Sequence, residues 1–213
     1  MLDVLIIGAG VSGVSCALIL GSAQNKPFAM DKKIAIVAHQ KASSLQNAIF
    51  NNAYGIPAGK LGSELLEESL AHLSKTYSHV KQIDGEKVLS ISGEAGNFII
   101  TTNKHSHQAK IVVIAIGAGN PFTIEGLESF IEPHMKMPAV KNRIQLKNND
   151  HLVTRGIYVA GVLAGHRSQL SIAAGSGASV ATDILTLWNN GNPVQVHDAL
   201  EKCSDLFLKF GGH

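Results

Sequence analysis

Three glycines near the start of the chain have the spacing of a phosphate-binding turn. Gly8, Gly10 and Gly13 form a G-x-G-x-x-G pattern, with Val11 and Ser12 between the last two. The first glycine permits a tight turn, the second lets a pyrophosphate approach the backbone, and the third lets a helix pack closely on a strand. The alternative interpretation is an ordinary glycine-rich turn inside a buried βα unit.

The flanking residues predict the two elements that such a turn requires. An apolar run over residues 2–7 predicts a strand, and the apolar residues 14–20 predict a helix whose free amides and positive dipole end would bind phosphates. We do not expect a signal peptide here. Asp3 stands where a signal peptide has its basic n-region, no Lys or Arg precedes the apolar run, and no A-x-A cleavage pattern follows.

Composition indicates one large α/β domain. The 213 residues are 45% hydrophobic and only 16% charged, with 21 glycines. A formal net charge of +2 with scattered Lys and Arg argues against a nucleic-acid partner. We expect no membrane span, because no apolar stretch of about 18 residues lies beyond the glycine-interrupted amino terminus.

The spacing of the cysteines and histidines predicts no disulfide, redox or metal site. Cys16 and Cys203 lie far apart and no C-x-x-C occurs, so we expect neither a disulfide framework nor a redox pair, and a cytoplasmic location. His105 and His107 are close in sequence. We expect them to be solvated in a turn between strands, and we predict no metal site.

The end of the second strand departs from the usual dinucleotide pattern. Residues 33–38 predict this strand, and its end normally carries an acid that accepts the ribose hydroxyl groups. Here that place falls to Ala38, followed by His39, Gln40 and Lys41. His39 or Gln40 would bond a ribose, whereas His39 with Lys41 would meet the 2′-phosphate of NADP. The pattern equally favours a second interpretation, in which these three are simply polar residues at the end of a strand and bind no nucleotide.

The rest of the chain alternates helix and strand signals. We predict helices at 63–76 and 169–188, strands at 86–92, 97–103, 110–116 and 156–161, a hairpin turn at 93–96, and mostly loop over 120–149. The first half of the helix at 169–188 is rich in small residues, which favour close approach of a backbone or a flat ligand. Residues 194–210 predict an amphipathic helix that packs on the core or on a partner chain.

Four stretches in register resemble the FAD-binding half of thioredoxin reductase-like flavoproteins, within the pyridine nucleotide-disulfide oxidoreductase superfamily. They are residues 8–13, residues 52–57 with 61–65, residues 114–118, and residues 156–161 with Gln169 and 173–177. The resemblance implies a Rossmann-like FAD/NAD(P)-binding α/β domain over residues 1–190, with a central parallel sheet and a small antiparallel β-meander. The helix at 194–210 would follow it.

The same resemblance assigns the cofactor contacts. It implies phosphates over the glycine turn, adenine near Lys87 and Val88, and the isoalloxazine against Asn52 and the start of the Gln169 helix. The predicted cofactor-binding residues are Gly8, Gly10, Val11, Ser12, Gly13, Ala38, His39, Gln40, Asn52, Lys87, Val88, Ala115, Gly117, Gly161, Val162, Gln169, Leu170 and Ala173. No residue is singled out as a general acid or base.

Three departures from the family pattern shape the functional hypotheses. The interval 120–143 is too short for the family's NADPH domain, which carries the redox C-x-x-C in thioredoxin reductases. Ala38 replaces the ribose acid, and Val162 replaces the aspartate that bonds the flavin ribityl chain.

Two functions follow from these departures. The first is a small FAD-binding oxidoreductase without the usual C-x-x-C route, which takes electrons from free NAD(P)H or a protein partner. The alternative is a nucleotide-binding subunit, with NADP, ADP or no ligand, that regulates or assembles a larger redox complex. The C-terminal helix would then contact a redox partner or a second copy of the chain.

Overall fold

The computed structural model describes residues 1–39 and 43–197. The strands are β1 Leu2–Ile7, β2 Ile34–Ala38, β3 Ile49–Phe50, β4 Lys60–Leu61, β5 Lys81–Asp84, β6 Val88–Glu94, β7 Asn97–Thr102, β8 Ser106–Ile114, β9 Ile131–Pro133, β10 Ile144–Leu146, β11 Leu152–Thr154 and β12 Ile157–Val159. The helices are α1 Val11–Ser22, α2 Gly62–Thr76 and α3 Leu170–Trp188. Gln40, Lys41 and most of the helix predicted for 194–210 lie outside the described residues.

The central sheet is parallel in its middle and antiparallel at its margins. Strands β12, β8, β1, β2 and β5 lie side by side in parallel, and β11 pairs antiparallel with β12 at one edge. The first half of β8 pairs instead with β7, and β7 pairs with β6, which gives an antiparallel meander. This architecture confirms the predicted α/β class and the meander.

The apolar runs form strands because they are buried on both faces of the sheet. Val4 and Ile6 of β1 face α1 and α3 in one core cluster, which also contains Val180 and Ile184. The alternate residue Leu5 faces the meander in the second cluster. This period of two is the geometry of a strand between two layers.

Several boundaries differ from the sequence predictions. Strand β8 begins at Ser106 rather than at residue 110, which places His107 inside a strand. Strands β5 and β11 were not predicted, because each is short and partly polar and is defined by its pairing with β2 or β12. The interval 120–149 is not mostly loop, since β9 and β10 form an antiparallel hairpin.

This hairpin stands where the family pattern has its second domain. The ten residues 134–143 connect β9 to β10, and Ile144 and Leu146 of β10 are buried in the second core cluster. Within residues 43–197, the interval therefore folds onto the sheet rather than forming a separate unit.

Helix α3 is long and apolar enough to cross a membrane by length and composition alone. Its residues Val180, Ala181, Ile184 and Leu185 are nevertheless fully buried against the sheet and α1. The helix therefore has the contacts of a core helix.

Candidate functional site

The glycine turn lies between β1 and α1, at the carboxyl edge of the sheet. Gly8 has a φ of 108°, and a methyl group there would lie 2.6 Å from the Ala115 carbonyl oxygen. A methyl group on Gly13 would lie 1.8 Å from the carbonyl oxygen of Gly8. Both positions therefore require glycine for the turn itself, as the sequence predicted.

Gly10 differs from its two neighbours in the pattern. Apart from the adjoining backbone, no described atom lies within 4 Å of the position that a Cβ on Gly10 would take, and its φ of −80° is open to any residue. The turn is thus packed beneath Gly8 and Gly13 and open above Gly10. Open space at this glycine is what an approaching pyrophosphate requires.

The first turn of α1 offers hydrogen-bond donors to this open space. The amides of Val11, Ser12 and Gly13 have no carbonyl four residues earlier in the helix. The first turn also contains no acidic side chain, so the positive end of the helix dipole is not neutralised locally. Together these features make an anion-binding end.

The other predicted residues of the sheet lie along the same edge. Ala38 ends β2, Ala115 directly follows β8, and Gly161 follows β12 by two residues. Because these strands are parallel to β1, their carboxyl ends meet at one side of the sheet. His39 and Gly117 are exposed there.

Helix α3 reaches this edge through its contact with α1. A methyl group on Gly177 would lie 1.9 Å from the Ser12 carbonyl oxygen, and the Ser15 hydroxyl donates to the Ala174 carbonyl at 2.8 Å. A methyl group on Gly161 would lie 2.7 Å from the Ser12 Oγ. The small residues of α3 therefore serve close helix packing, which was one of the two predicted uses.

The segment after β12 is held by a buried histidine from the β9–β10 connection. His134 Nδ1 accepts the Lys136 amide at 3.1 Å, which assigns its proton to Nε2. The Nε2–H then donates to the Val162 carbonyl at 3.0 Å. The Val162 side chain packs against the second core cluster. His134 was not predicted, because only the folded chain brings it near Val162.

A second histidine contact lies beside this segment. His151 is buried, and its Nε2 lies 3.1 Å from His166 Nε2 and 3.0 Å from Ser176 Oγ. Ser176 Oγ also accepts the Gly161 amide at 2.8 Å. Burial, and next the neighbouring His151, lower the pKa of His166. These contacts join the turn before β11 to the first half of α3.

The backbone around His151 is unusual for its residue types. Asp150 and His151 both have positive φ, at 45° and 71°, between Asn149 and Leu152, whose backbones pair. Two positive φ values in a two-residue turn define the type I′ geometry, which favours Asn and Gly. The His151 Nδ1 is buried, has no hydrogen-bond partner among residues 1–39 and 43–197, and lies 3.6 Å from an Asp150 carboxylate oxygen.

A family model described as pyridine nucleotide-disulphide oxidoreductase matches residues 2–177. The chain belongs to the pyridine nucleotide-disulphide oxidoreductase family. The match covers the glycine turn, the whole sheet and the start of α3. It confirms the resemblance on which the sequence predictions rested.

Curated proteins similar to this chain include ferredoxin–NADP reductases. The protein from Lactococcus lactis is 30% identical over 118 residues, which are 55% of this chain and 36% of that protein. The one from Streptococcus pneumoniae is 30% identical over 138 residues, or 62% of this chain and 41% of that protein. The chain thus matches less than half the length of these relatives.

Solved structures share the fold at low sequence identity. A thioredoxin reductase from Gloeobacter violaceus superposes with a TM-score of 0.72 at 13% identity, covering 93% of this chain and 98% of that one. A ferredoxin-flavin thioredoxin reductase from Clostridium acetobutylicum gives 0.64 at 17% identity, covering 88% and 98%. These similarities establish the Rossmann-like dinucleotide-binding fold.

The residues predicted to contact the isoalloxazine ring are more exposed than the glycine turn at residues 8–13. Asn52 is exposed in the connection between β3 and β4, and Gln169 is exposed as the N-cap of α3. Leu170 begins the helix, and the Ala173 amide donates to the Gln169 carbonyl at 2.9 Å. The first turn of α3 contains no acidic residue.

The predicted adenine contact at Lys87 and Val88 lies at the start of β6. The Lys87 amide donates to the Asn103 side chain at 2.8 Å, and its carbonyl accepts the Asn103 amide at 3.0 Å. Val88 is buried. Both backbone groups of Lys87 are therefore paired within the protein, and its side chain is exposed.

The expectation of a solvated turn was wrong for His107, whereas His105 does lie in the turn between β7 and β8 with an exposed side chain. Both bond the buried Glu86 carboxylate, His105 Nδ1 at 2.7 Å and His107 Nε2 at 2.9 Å, and Thr102 donates to it at 2.7 Å. These contacts lower the pKa of Glu86 to about 2, and the hydrogen bond with His107 has the largest effect. Because His107 belongs to β8, its ring lies on the sheet rather than in a solvated turn.

Proposed function

We propose that the chain binds FAD along the carboxyl edge of its sheet and acts as a flavin-dependent oxidoreductase. The observation that carries the proposal is the open space above Gly10, set between two glycines that the turn itself requires. Membership of the oxidoreductase family supports the redox role. An open phosphate cradle on this fold therefore favours a dinucleotide over a merely structural turn.

The residues present fit the phosphate part of this cofactor. The amides of Val11, Ser12 and Gly13 would hold the pyrophosphate, which would lie over Gly10. The start of α3, with no acid in its first turn, would stabilise negative charge on a reduced flavin. Bound FAD would supply the electron transfer itself, and the protein would bind and orient it.

The electrons would come from outside the described fold. Residues 134–143 connect two strands of a hairpin and form no nicotinamide-binding unit. Free NAD(P)H or a protein partner would therefore be the donor, and ferredoxin–NADP reductases among the relatives make a protein partner reasonable. The cysteine spacing supports a role that does not depend on a C-x-x-C pair.

The alternative function is a nucleotide-binding subunit without redox chemistry. Its support is the Val162 position, where an apolar side chain packs into the core and the carbonyl is already bonded by His134. This arrangement offers the ribityl chain no carboxylate. A lost contact of this kind costs on the order of 1–3 kcal/mol if the group that it served stays unpaired.

The visible absorption spectrum of the purified protein separates the two functions. The two absorption bands of a flavin, either as purified or after incubation with FAD, support the oxidoreductase. A colourless protein that binds ADP but cannot be reconstituted with FAD contradicts it and supports the alternative. Bleaching of the bands by NADPH alone would show that no protein partner is needed.

Substitution of Gly10 tests whether the turn holds the phosphates. Gly10→Leu should preserve the fold, because its side chain enters open space, and should abolish FAD binding by filling that space. Gly175→Leu is the matched control, since Gly175 is also surrounded by open space but lies inside α3. Full FAD binding by Gly10→Leu would mean that the turn is only structural.

A further inference from the structure

Strand β5 places the carboxylate residue Asp84 next to Ala38, which stands where the dinucleotide pattern has an acid. Ala38 and Asp84 are direct partners in the parallel pairing of β2 with β5, and both end their strands. The Gly85 amide donates to the Ala38 carbonyl at 3.2 Å, so the pairing extends one residue beyond Asp84. Asp84 therefore lies at the same carboxyl edge as Ala38.

The side chains of these two residues project from the same face of the sheet. Partners in adjacent parallel strands share a face, and side chains two residues apart in a strand do so as well. Ile36 and Ala38 belong to the core cluster beneath α1. Gln82 pairs with Ile36 and bonds the Leu70 carbonyl of α2 at 3.0 Å, on that same side. Asp84 lies two residues after Gln82, so its side chain projects from this same face of the sheet.

The Asp84 carboxylate is exposed, and nothing in the described part of the chain pairs with it. Within residues 1–39 and 43–197 it forms no hydrogen bond or ion pair, and its residue is open to solvent. By contrast, Asp3 and Glu86 are each paired by neighbouring cations or histidines. A structural role within the described fold therefore does not account for Asp84.

We propose that Asp84 supplies, from the neighbouring strand, the carboxylate that Ala38 lacks, and that it binds the ribose hydroxyl groups of an adenine nucleotide without a 2′-phosphate. This inference rests on the proposed function for its ligand. A carboxylate accepts hydrogen bonds from ribose hydroxyl groups and repels a 2′-phosphate. Asp84 thus selects FAD, NAD or ADP against NADP, in spite of His39 at the same edge.

The first experiment compares two small probes of the adenosine subsite. ADP and adenosine 2′,5′-bisphosphate differ in the 2′-phosphate, and their dissociation constants are measured by calorimetry with the wild type and with Asp84→Asn. The wild type should favour ADP. In the variant, ADP binding should weaken roughly 10- to 100-fold, the range for a hydrogen bond to a charged group, while the bisphosphate binds as well or better.

Glu94→Gln provides the matched control, because Glu94 is exposed at the distal end of β6. It should leave both dissociation constants unchanged. An Asp84→Asn protein with the wild-type preference for ADP would overturn the proposal, as would a wild type that favours the bisphosphate or binds neither probe. Folding of each variant is checked by circular dichroism.

FAD titration distinguishes this proposal from the proposed function. If the wild type binds FAD and Asp84→Asn binds it equally well, the role of Asp84 is wrong while the FAD site stands. If the wild type binds ADP in an Asp84-dependent manner but does not bind FAD, the oxidoreductase proposal is wrong and the role of Asp84 stands.

Discussion

The carbonyl oxygen of Ser12 lies only 1.9 Å from the position that a methyl group on Gly177 would take. Helices α1 and α3 therefore touch backbone to backbone, directly behind the phosphate-binding turn. The position of α3 depends on this contact, because no side chain fits at position 177 against the Ser12 backbone.

Substitution of Gly177 should therefore destabilise the whole fold. We expect Gly177→Ala to lower the free energy of unfolding by about 1–3 kcal/mol, since the methyl group forces the helices apart. Urea denaturation followed by circular dichroism measures the change. Gly175→Ala, in the same helix with open space around it, should instead raise stability by up to about 1 kcal/mol. Equal effects of the two substitutions would contradict the packing argument.

Glu86 should stabilise the meander through its charge. Glu86→Gln keeps the shape of the side chain but weakens its bonds to His105 and His107, so we expect a loss of about 1–3 kcal/mol in thermal or urea unfolding. Glu94→Gln, exposed on β6, should change stability little. If both variants unfold alike, the Glu86 contacts contribute nothing.

The same carboxylate should make the protein sensitive to strong acid. The pKa of Glu86 is about 2 in the folded protein, below its ordinary value of 4.5. As the pH falls from 4.5 towards 2, the unfolded chain binds a proton that the folded protein does not, so stability decreases. Urea midpoints measured across this range should fall less in Glu86→Gln than in the wild type. Parallel curves would exclude Glu86 as the cause.

His166 should contribute a separate loss of stability in mild acid. Its pKa is lowered from 6.5 by burial, by His151, and by the nearby Lys136. Above pH 6.5 the residue is neutral in both states, and stability does not depend on it. Below that pH the unfolded chain takes up a proton that the folded protein resists, until the pH falls beneath the folded pKa.

Unfolding measured from about pH 8 to about pH 5 checks the His166 effect. His166→Gln should have a shallower decline than the wild type. His79, whose pKa burial also lowers, should retain its share of the decline in that variant. A decline of unchanged slope in His166→Gln would show that other groups govern stability in this range.

His134 should fix the segment that follows β12. His134→Ala removes the donor to the Val162 carbonyl, and we expect a loss of about 1–3 kcal/mol together with faster hydrogen exchange at residues 161–165. His72→Ala, exposed on α2, is the control. Unchanged exchange at 161–165 in His134→Ala would mean that the β9–β10 connection does not hold this segment.

The sequence predicted the elements that depend on local pattern. Strands β1 and β2 are continuous apolar runs, and α2 has apolar residues at helical spacing, so their positions follow from period and burial. Strand β5 contains one buried apolar residue, Ile83, and becomes a strand only by pairing with β2. Such an element is defined by tertiary contacts and has no signal of its own.

The same distinction divides the candidate site. The geometry of the glycine turn depends on six consecutive residues, so that geometry was predicted correctly, while phosphate binding stays a prediction. The partnership of Ala38 with Asp84 and that of His134 with Val162 join residues far apart in the chain. Sequence spacing carries no information on either pair. The register of β2 with β5 brings Ala38 next to Asp84, and the path of the β9–β10 connection brings His134 to Val162.

The β9–β10 hairpin has a consequence for how the connection between its strands tolerates insertion. Pro133 and Ile144 are paired across two neighbouring strands, so the two ends of the connection between them are held a few ångströms apart. A domain can enter or leave the chain between such ends without shifting the register of any strand in the central sheet. Residues 134–143 are therefore a connection that can accept an inserted segment without disturbing the central sheet.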